Sequence, residues 1–220
     1  MDLGRVEEWR LGLKQQGVRV GWAAILAHAY SQVCCEFPEL CDLYVSRPIP
    51  YMYRHPDPVA TFAVHRVDER NRERLIWGRI VAPHQLEISA LQAQIEGFSK
   101  EPIEQVYRDG LRLERQLKIV RRLQWHLLMR WCGRKRAKHL GTFSLSSLGH
   151  FGALNGYHPL VTTTSLAMGP LEADGKCDMV LLCDHRVIDG VLGSRALESL
   201  EKRVCQFANE EDKSFMDLDK

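Results

Sequence analysis

The sequence predicts a single α/β domain in which buried strands alternate with helices along the chain. An apolar, alanine-rich and proline-free segment over residues 20–36 is typical of a buried helix. Two alternating, β-branched segments, residues 59–67 and 74–82, are joined by a charged turn and predict a hairpin. Two nearly unbroken apolar runs, residues 160–169 and 177–185, predict buried strands. A chain of 220 residues is long enough to bury a sizeable core around such a sheet.

The first half of the chain contains three further segments. Residues 5–16 fit either a short helix or an entry strand, and the pattern leaves both open. Prolines at four positions within residues 43–58 predict an extended or looping chain, because proline cannot continue a helix. Residues 86–98 have the apolar spacing of a helix and follow directly on the predicted hairpin.

The second half begins with helical periodicity over residues 103–139, which Gly133 and the basic residues after it break or fray. A short strand is predicted over residues 142–148, ahead of a loop rich in glycine, histidine and asparagine. A final helix is expected over residues 191–207. With the two apolar runs between them, these segments complete an α/β pattern.

Composition and patterning favour one domain over residues 1–208, followed by a solvated acidic tail over residues 209–220. The chain is 45% hydrophobic and 26% charged with a mean hydropathy of −0.26, which excludes disorder as its main state. No apolar stretch approaches the ~18–20 residues of a membrane span and no signal peptide is recognisable, so a cytoplasmic location is expected. Seven cysteines without a Cys-x-x-Cys pair predict free thiols and no bound metal.

Residues 184–190 read Asp-His-Arg-Val-Ile-Asp-Gly and lie between a buried strand and a helix. Polar groups at the end of a buried strand are costly unless they are paired, so they require a reason. Asp189 follows His185 by four residues, so a tight turn can bring the carboxylate back towards the loop, and a buried neutral histidine could accept a proton from a thiol or hydroxyl. Alternatively, Asp184, Arg186 and Asp189 form an ion-pair network that closes the corner. The residues alone leave both interpretations open.

The segment DHRVIDG resembles the His-x-x-x-Asp-Gly signature of the dihydrolipoamide acyltransferase and chloramphenicol acetyltransferase superfamily. It is especially similar to the form found in the E2 catalytic domains of 2-oxoacid dehydrogenase complexes. Residues 141–152, GTFSLSSLGHFG, are similar to that family's Gly-Thr-Phe-Thr-Ile-Ser-Asn/Ser-Leu-Gly segment. The resemblance covers residues 18–207. It implies a chloramphenicol acetyltransferase-like two-layer sandwich with a mixed β-sheet and flanking helices, formed by residues 1–208 as a single acyltransferase catalytic domain.

The resemblance also implies a mechanism. His185 would be the general base that removes a proton from the acceptor, and Ser146 would stabilise the oxyanion of the tetrahedral intermediate. Ser147 would point to the opposite face of the strand, so one serine of the pair can serve. Asp189 would organise the loop that carries His185. The acyl group would pass directly from a coenzyme A or carrier-protein thioester to a small hydroxyl, amine or thiol acceptor, in a homotrimer whose active site lies at the subunit interface.

Two departures from the family bear on this expectation. Lipoyl and subunit-binding domains do not precede the catalytic segment, so no covalently attached lipoyl group is expected. Residues 73–83, ERLIWGRIVAP, replace the family's Gly-Leu-x-x-Pro-Val segment, which helps to form the substrate channel. We therefore favour a stand-alone acyltransferase. The alternatives are a dihydrolipoamide acyltransferase that uses lipoyl groups in trans and a non-catalytic trimeric scaffold that retains the fold.

Residues 108–138 are strongly basic, with eleven Lys and Arg against two Asp and Glu, and this region is longer than the family's norm. Three roles remain open: an amphipathic helix that packs its Leu/Trp face on the sheet, a dock for the phosphates of coenzyme A or for an acidic carrier protein, or a membrane-surface face that includes Trp125 and Trp131. Nucleic-acid binding has no other support, because no recognition motif accompanies the charge.

Overall fold

A computed structural model describes residues 1–68, 71–147 and 152–216, with side chains described up to residue 208. It shows an α/β fold with a mixed five-stranded sheet and flanking helices, as predicted. The strands are β1 Asp42–Val45, β2 Tyr51–Arg54, β3 Val59–Val67, β4 Glu73–Val81, β5 Phe143–Ser147, β6 Thr164–Leu171 and β7 Cys177–Cys183. The α-helices are α1 Gly4–Gln15, α2 Trp22–Glu36, α3 Ile88–Lys100, α4 Ile103–Val106, α5 Arg108–Glu114, α6 Lys118–Trp131, α7 Gly133–Leu140 and α8 Gly190–Met216.

The main sheet has the strand order β4-β3-β5-β6-β7. Strands β3 and β4 form the predicted antiparallel hairpin, β5 lies parallel to both β3 and β6, and β7 closes the other edge antiparallel to β6. Strands β1 and β2 form a separate antiparallel ribbon. The sheet is therefore mixed, and β4 and β7 are its edges.

Helices α1, α2, α3 and α8 form the layer on one face of the sheet, here called the core face. Helix α2 is the most buried of them, because its sequence is apolar on most of its circumference. Its Tyr30 packs edge-to-face on Phe143 of β5 with the ring centroids 5.0 Å apart, and the Tyr30 hydroxyl donates a hydrogen bond of 2.9 Å to Thr164 Oγ1. A buried hydroxyl needs such a partner, and this bond ties α2 to β5 and β6.

The opposite face of the sheet, here called the outer face, is covered in part by α7. Thr61 of β3 donates a 2.7 Å hydrogen bond to the carbonyl of Leu140 at the end of α7. Arg136 of α7 is 3% exposed and donates hydrogen bonds to the carbonyls of Val161 and Tyr44. Burial lowers the pKa of Arg136. These contacts fix α7 between the sheet and the β1–β2 ribbon.

Several predicted boundaries differ from the structure. Residues 4–15 form helix α1, so the first segment, for which the sequence left a helix or a strand open, is a helix. The proline-rich segment is extended, as expected, and forms the β1–β2 ribbon with Pro48 and Pro50 in the connection. Residues 103–139 form four short helices, and the break at Cys132 and Gly133 lies where the sequence places it. Cys132 has extended backbone angles there, and Gly133 begins α7 with no room for a side chain, because a Cβ atom would lie 2.4 Å from Cβ of Tyr53 in β2.

The C-terminal helix is longer than predicted. Its backbone continues from Gly190 through Met216, beyond the expected end at residue 207 and into the segment predicted as a tail. Residues 217–220 lie outside the described part of the chain. Among the helices that the structure describes, none combines the length and the apolar character that crossing a membrane requires.

Candidate active site

His185 lies in a tight turn directly after β7. The Asp184 N–H donates a 2.8 Å hydrogen bond to the carbonyl of Thr163, which continues the ladder with β6 by one residue. The N–H groups of Val187 and Ile188 then donate to the Asp184 carbonyl, at 2.9 and 3.1 Å, and Ile188 is 2% exposed. The turn is thus fixed on both sides. The imidazole of His185 is exposed, whereas the sequence analysis considered a buried histidine.

Asp184 and Arg186 form an ion pair on either side of the histidine. Arg186 Nε donates a 2.8 Å hydrogen bond to Asp184 Oδ1, and its guanidinium lies 4.7 Å from the ring centroid of Tyr44. Burial acts to raise the pKa of Asp184, but the hydrogen bonds from Arg186 outweigh it and the pKa is lowered. This pair is part of the ion-pair network that the sequence left as an alternative.

Asp189 has a different role from its neighbours in the turn. Its Oδ1 accepts a 2.8 Å hydrogen bond from the backbone N–H of Leu192, in the first turn of α8. Asp189 is therefore the N-cap of that helix. It lies outside the Asp184–Arg186 pair, and among the described residues it forms no ion pair. Asp189 fixes where the turn ends and α8 begins, four residues after His185.

The serine motif lies on β5, two strands away from the histidine. Ser146 is half-buried on the outer face and is in register with Ala167 of β6. Ser147 is exposed, and by strand alternation it belongs to the other face. Residues 148–151, the second part of the motif, lie outside the described residues.

The structure adds a cluster of hydroxyl groups that sequence reasoning missed. Ser144 Oγ donates a 2.8 Å hydrogen bond to Ser165 Oγ, Thr162 Oγ1 lies 3.4 Å from Ser144 Oγ, and His158 Nε2 lies 3.0 Å from Ser165 Oγ. The Nδ1 atom of His158 is buried without a partner among the described residues. The available signal was the run Thr-Thr-Thr-Ser over residues 162–165, inside a segment predicted as a buried apolar strand.

His185 and Ser146 of one chain are too far apart to act on the same atom. Hydrogen bonds from Asp184 to Thr163 and from Thr163 to Thr142 place these three residues in one row across the sheet. Ser146 lies four residues beyond Thr142, so the strand rise of about 3.3 Å per residue and two strand spacings of about 4.8 Å give a Cα separation from Asp184 of about 16 Å. A histidine side chain cannot span that distance.

The fold is that of the chloramphenicol acetyltransferase-like acyltransferase cores. The chain is similar to a probable dihydrolipoamide acetyltransferase from Listeria monocytogenes, at a TM-score of 0.62 and 19% identity over 93% of this chain and 80% of that chain. It is also similar to a dihydrolipoamide acetyltransferase from Azotobacter vinelandii, at a TM-score of 0.64 and 19% identity over 92% of this chain and 77% of that chain. A chloramphenicol acetyltransferase matches at 0.54 and 12%, over 92% and 83%.

These structural similarities confirm the fold that the two motifs implied. At such identities they show the fold alone. In sequence, no family model and no curated protein matches the chain. For the Azotobacter protein, a serine, a histidine and an asparagine were investigated for their role in the catalytic mechanism.

Proposed function

We propose that this chain is an acyltransferase that moves an acyl group from a coenzyme A or carrier-protein thioester to a small hydroxyl, amine or thiol acceptor. The observation that carries the proposal is the exposed His185, held in a turn that β7, Ile188 and the Asp189 cap fix, on a fold shared with acetyltransferases. A histidine in a fixed turn at a strand end is positioned to accept a proton from a bound acceptor.

The reaction needs no acyl-enzyme intermediate. His185 takes the proton of the acceptor as its oxygen, nitrogen or sulfur attacks the thioester carbonyl, and the carbonyl oxygen becomes an oxyanion. The Ser146 hydroxyl donates a hydrogen bond to that oxyanion. The carbon–sulfur bond then breaks, and the proton passes from His185 to the leaving thiolate. A general base of this kind contributes about 10²- to 10⁴-fold, and an oxyanion donor about 2.7–4 kcal/mol.

The separation of about 16 Å within one chain supports an active site shared between subunits. We propose a homotrimer in which His185 of one subunit faces Ser146 of its neighbour. The Azotobacter asparagine follows its histidine by four positions, the spacing at which Asp189 follows His185 here. The seven free cysteines fit a reducing, cytoplasmic location, which we also propose.

A second candidate is a dihydrolipoamide acyltransferase that accepts lipoyl groups in trans. It is favoured by the dihydrolipoamide acetyltransferases among the structural neighbours. A non-catalytic trimeric scaffold is the third. The first two candidates differ in the acyl acceptor, which is a small hydroxyl, amine or thiol in the first and a lipoyl group in the second. The absence of any reaction would favour the scaffold.

The test is a mass-spectrometric screen for acyl transfer. Donors are acetyl to long-chain coenzyme A thioesters, and acceptors are dihydrolipoamide and a pool of alcohols and amines. His185→Ala should abolish product formation, whereas His126→Ala, which removes an exposed histidine of α6, should not. Product that survives in His185→Ala, with both variants folded, would contradict the proposed mechanism. Silence of the wild-type chain across the panel, without coenzyme A binding, would favour the scaffold.

A further inference from the structure

A cavity of about 880 Å³ lies between the outer face of β4 and the helices α5, α6 and α7. This volume is within the range of about 300–1,000 Å³ that is typical of small-molecule sites, which are also mostly apolar. The cavity is lined largely by apolar side chains, among them Leu75, Trp77, Leu113, Trp125, Leu127 and Trp131.

The helix that covers this cavity is not packed as a core helix. No residue of α6 is fully buried, and Trp125, Leu127 and Trp131 are 40%, 42% and 45% exposed. The structure therefore contradicts the interpretation in which this helix packs its Leu/Trp face on the sheet. Aromatic and aliphatic side chains left open around a concave space are typical of a ligand groove.

The cavity and the proposed oxyanion donor lie on the same face of the sheet, two strands apart. Trp77 of β4 pairs directly with Ala63 of β3. Ala63 follows Phe62, which pairs with Leu145, so Ala63 lies beside Ser146. Two strand spacings put the Trp77 and Ser146 backbones about 10 Å apart, and the small Ala63 side chain leaves the space between them open.

We propose that this cavity binds the alkyl chain of a long-chain acyl group, whose carbonyl end reaches Ser146 across Ala63. The inference rests on the proposed function and names its substrate class. If each methylene group occupies about as much space as a water molecule, about 30 Å³, the cavity can hold a chain of a dozen or more carbons.

The charges around the cavity fit an acyl group on an anionic carrier. Arg79 and Lys135 border it against the single carboxylate of Asp109. Burial and the nearby Arg79 lower the pKa of His139, which also borders the cavity, and this favours the neutral imidazole. The remaining net positive charge favours a phosphate-bearing carrier such as coenzyme A at the mouth of the cavity.

The test is binding, measured by isothermal titration calorimetry with acetyl-, octanoyl- and dodecanoyl-coenzyme A below their critical micelle concentrations. Affinity should rise about fourfold for each methylene that enters the cavity. Leu127→Gln should weaken dodecanoyl-coenzyme A binding about tenfold and leave acetyl-coenzyme A binding unchanged. Leu123→Gln is the matched control, because Leu123 is 57% exposed on the same helix and does not line the cavity.

Three outcomes would overturn the proposal: affinity that does not depend on chain length, equal losses in Leu127→Gln and Leu123→Gln, or a change of oligomeric state in Leu127→Gln on light scattering. The second would indicate that the acyl chain contacts the exposed apolar surface of α6 rather than the cavity, and the third that α6 contacts another subunit. Failure of the proposed function is distinguishable from these. Chain-length-dependent binding without transfer would contradict the acyltransferase, whereas transfer of acetyl groups alone would contradict the cavity assignment.

Discussion

Two inactive variants should restore each other's activity when they are mixed, if the active site is shared between subunits. His185→Ala removes the general base, and Ser146→Ala removes the oxyanion donor. Each homotrimer should be inactive or slowed by about 10²- to 10³-fold. In a mixed trimer, however, an interface that joins the Ser146→Ala subunit's histidine to the His185→Ala subunit's serine is intact.

The size of the rescue follows from symmetry. In a cyclic trimer each site joins one subunit to the next in a fixed direction, so random 1:1 assembly gives an intact histidine facing an intact serine at about a quarter of the sites. An unfractionated mixture should therefore show about 25% of the wild-type turnover, since both losses are much larger than fourfold. Purified mixed trimers should show about a third, because each contains one intact site out of three. We expect this rescue because His185 and Ser146 of one chain are about 16 Å apart, so each site must take its histidine and its serine from two different subunits.

The assay co-expresses the two variants with different affinity tags, purifies the doubly tagged species and measures turnover with the donor and acceptor identified by mass spectrometry. Each variant is also mixed with itself as a control, and melting curves check that both remain folded. Activity of the mixed species no greater than the mean of the separate variants would refute the shared site. Ser147→Ala in place of Ser146→Ala tests which serine is the donor.

Two further predictions concern the turn that carries His185. Asp189→Ala should lower the free energy of unfolding by about 1 kcal/mol through loss of the α8 cap, whereas Asp189→Asn should retain most of it; urea unfolding measures both, and equal losses would show that the cap is not what stabilises the turn. Because the folded-state pKa of Asp184 is lowered below its ordinary 3.8, its stabilisation is present above that pH and is lost as the pH falls through the lowered pKa. Asp184→Asn should therefore have a lower free energy of unfolding at pH 7, and that free energy should depend less on pH below about pH 4. The same pH dependence as the wild type below about pH 4 would contradict this assignment.

The parts of the fold that could be predicted from the sequence are those fixed by local pattern. Strand β3 spans the predicted residues 59–67, and β4 and β7 lie within two residues of prediction. The first two strands have an alternating pattern, and β7 is a nearly unbroken apolar run. Helix α2 was predicted because its segment is apolar, rich in alanine and free of proline, and is followed by Pro38.

The parts that could not be predicted depend on contacts between distant segments. Where residues 103–139 divide before α7, Gly133 lies against Tyr53, a residue 80 positions earlier in the chain. The pairing of His158 with Ser165 involves a loop residue with no periodicity to place it. The sequence supplied His185 and Ser146 as candidates, but their separation depends on the order and register of β5, β6 and β7.

The two faces of the sheet explain why the site and the cavity occur together. The core face is packed against α1, α2, α3 and α8 in the part of the chain that the structure describes, which leaves the outer face for a ligand. On the outer face, α7 covers Thr61 and the His158 loop covers Ser165. Ser146 lies two residues further along β5 than Ser144, which is in register with both, and is left half-buried. An acyl chain in the cavity would then approach Ser146 from the β4 side, and the histidine of a neighbouring subunit from outside the sheet. Both proposals therefore require the same opening above Ala63, and Ala63→Trp should raise the KM for dodecanoyl-coenzyme A far more than the KM for acetyl-coenzyme A. Equal effects on the two donors would show that the chain does not pass this point.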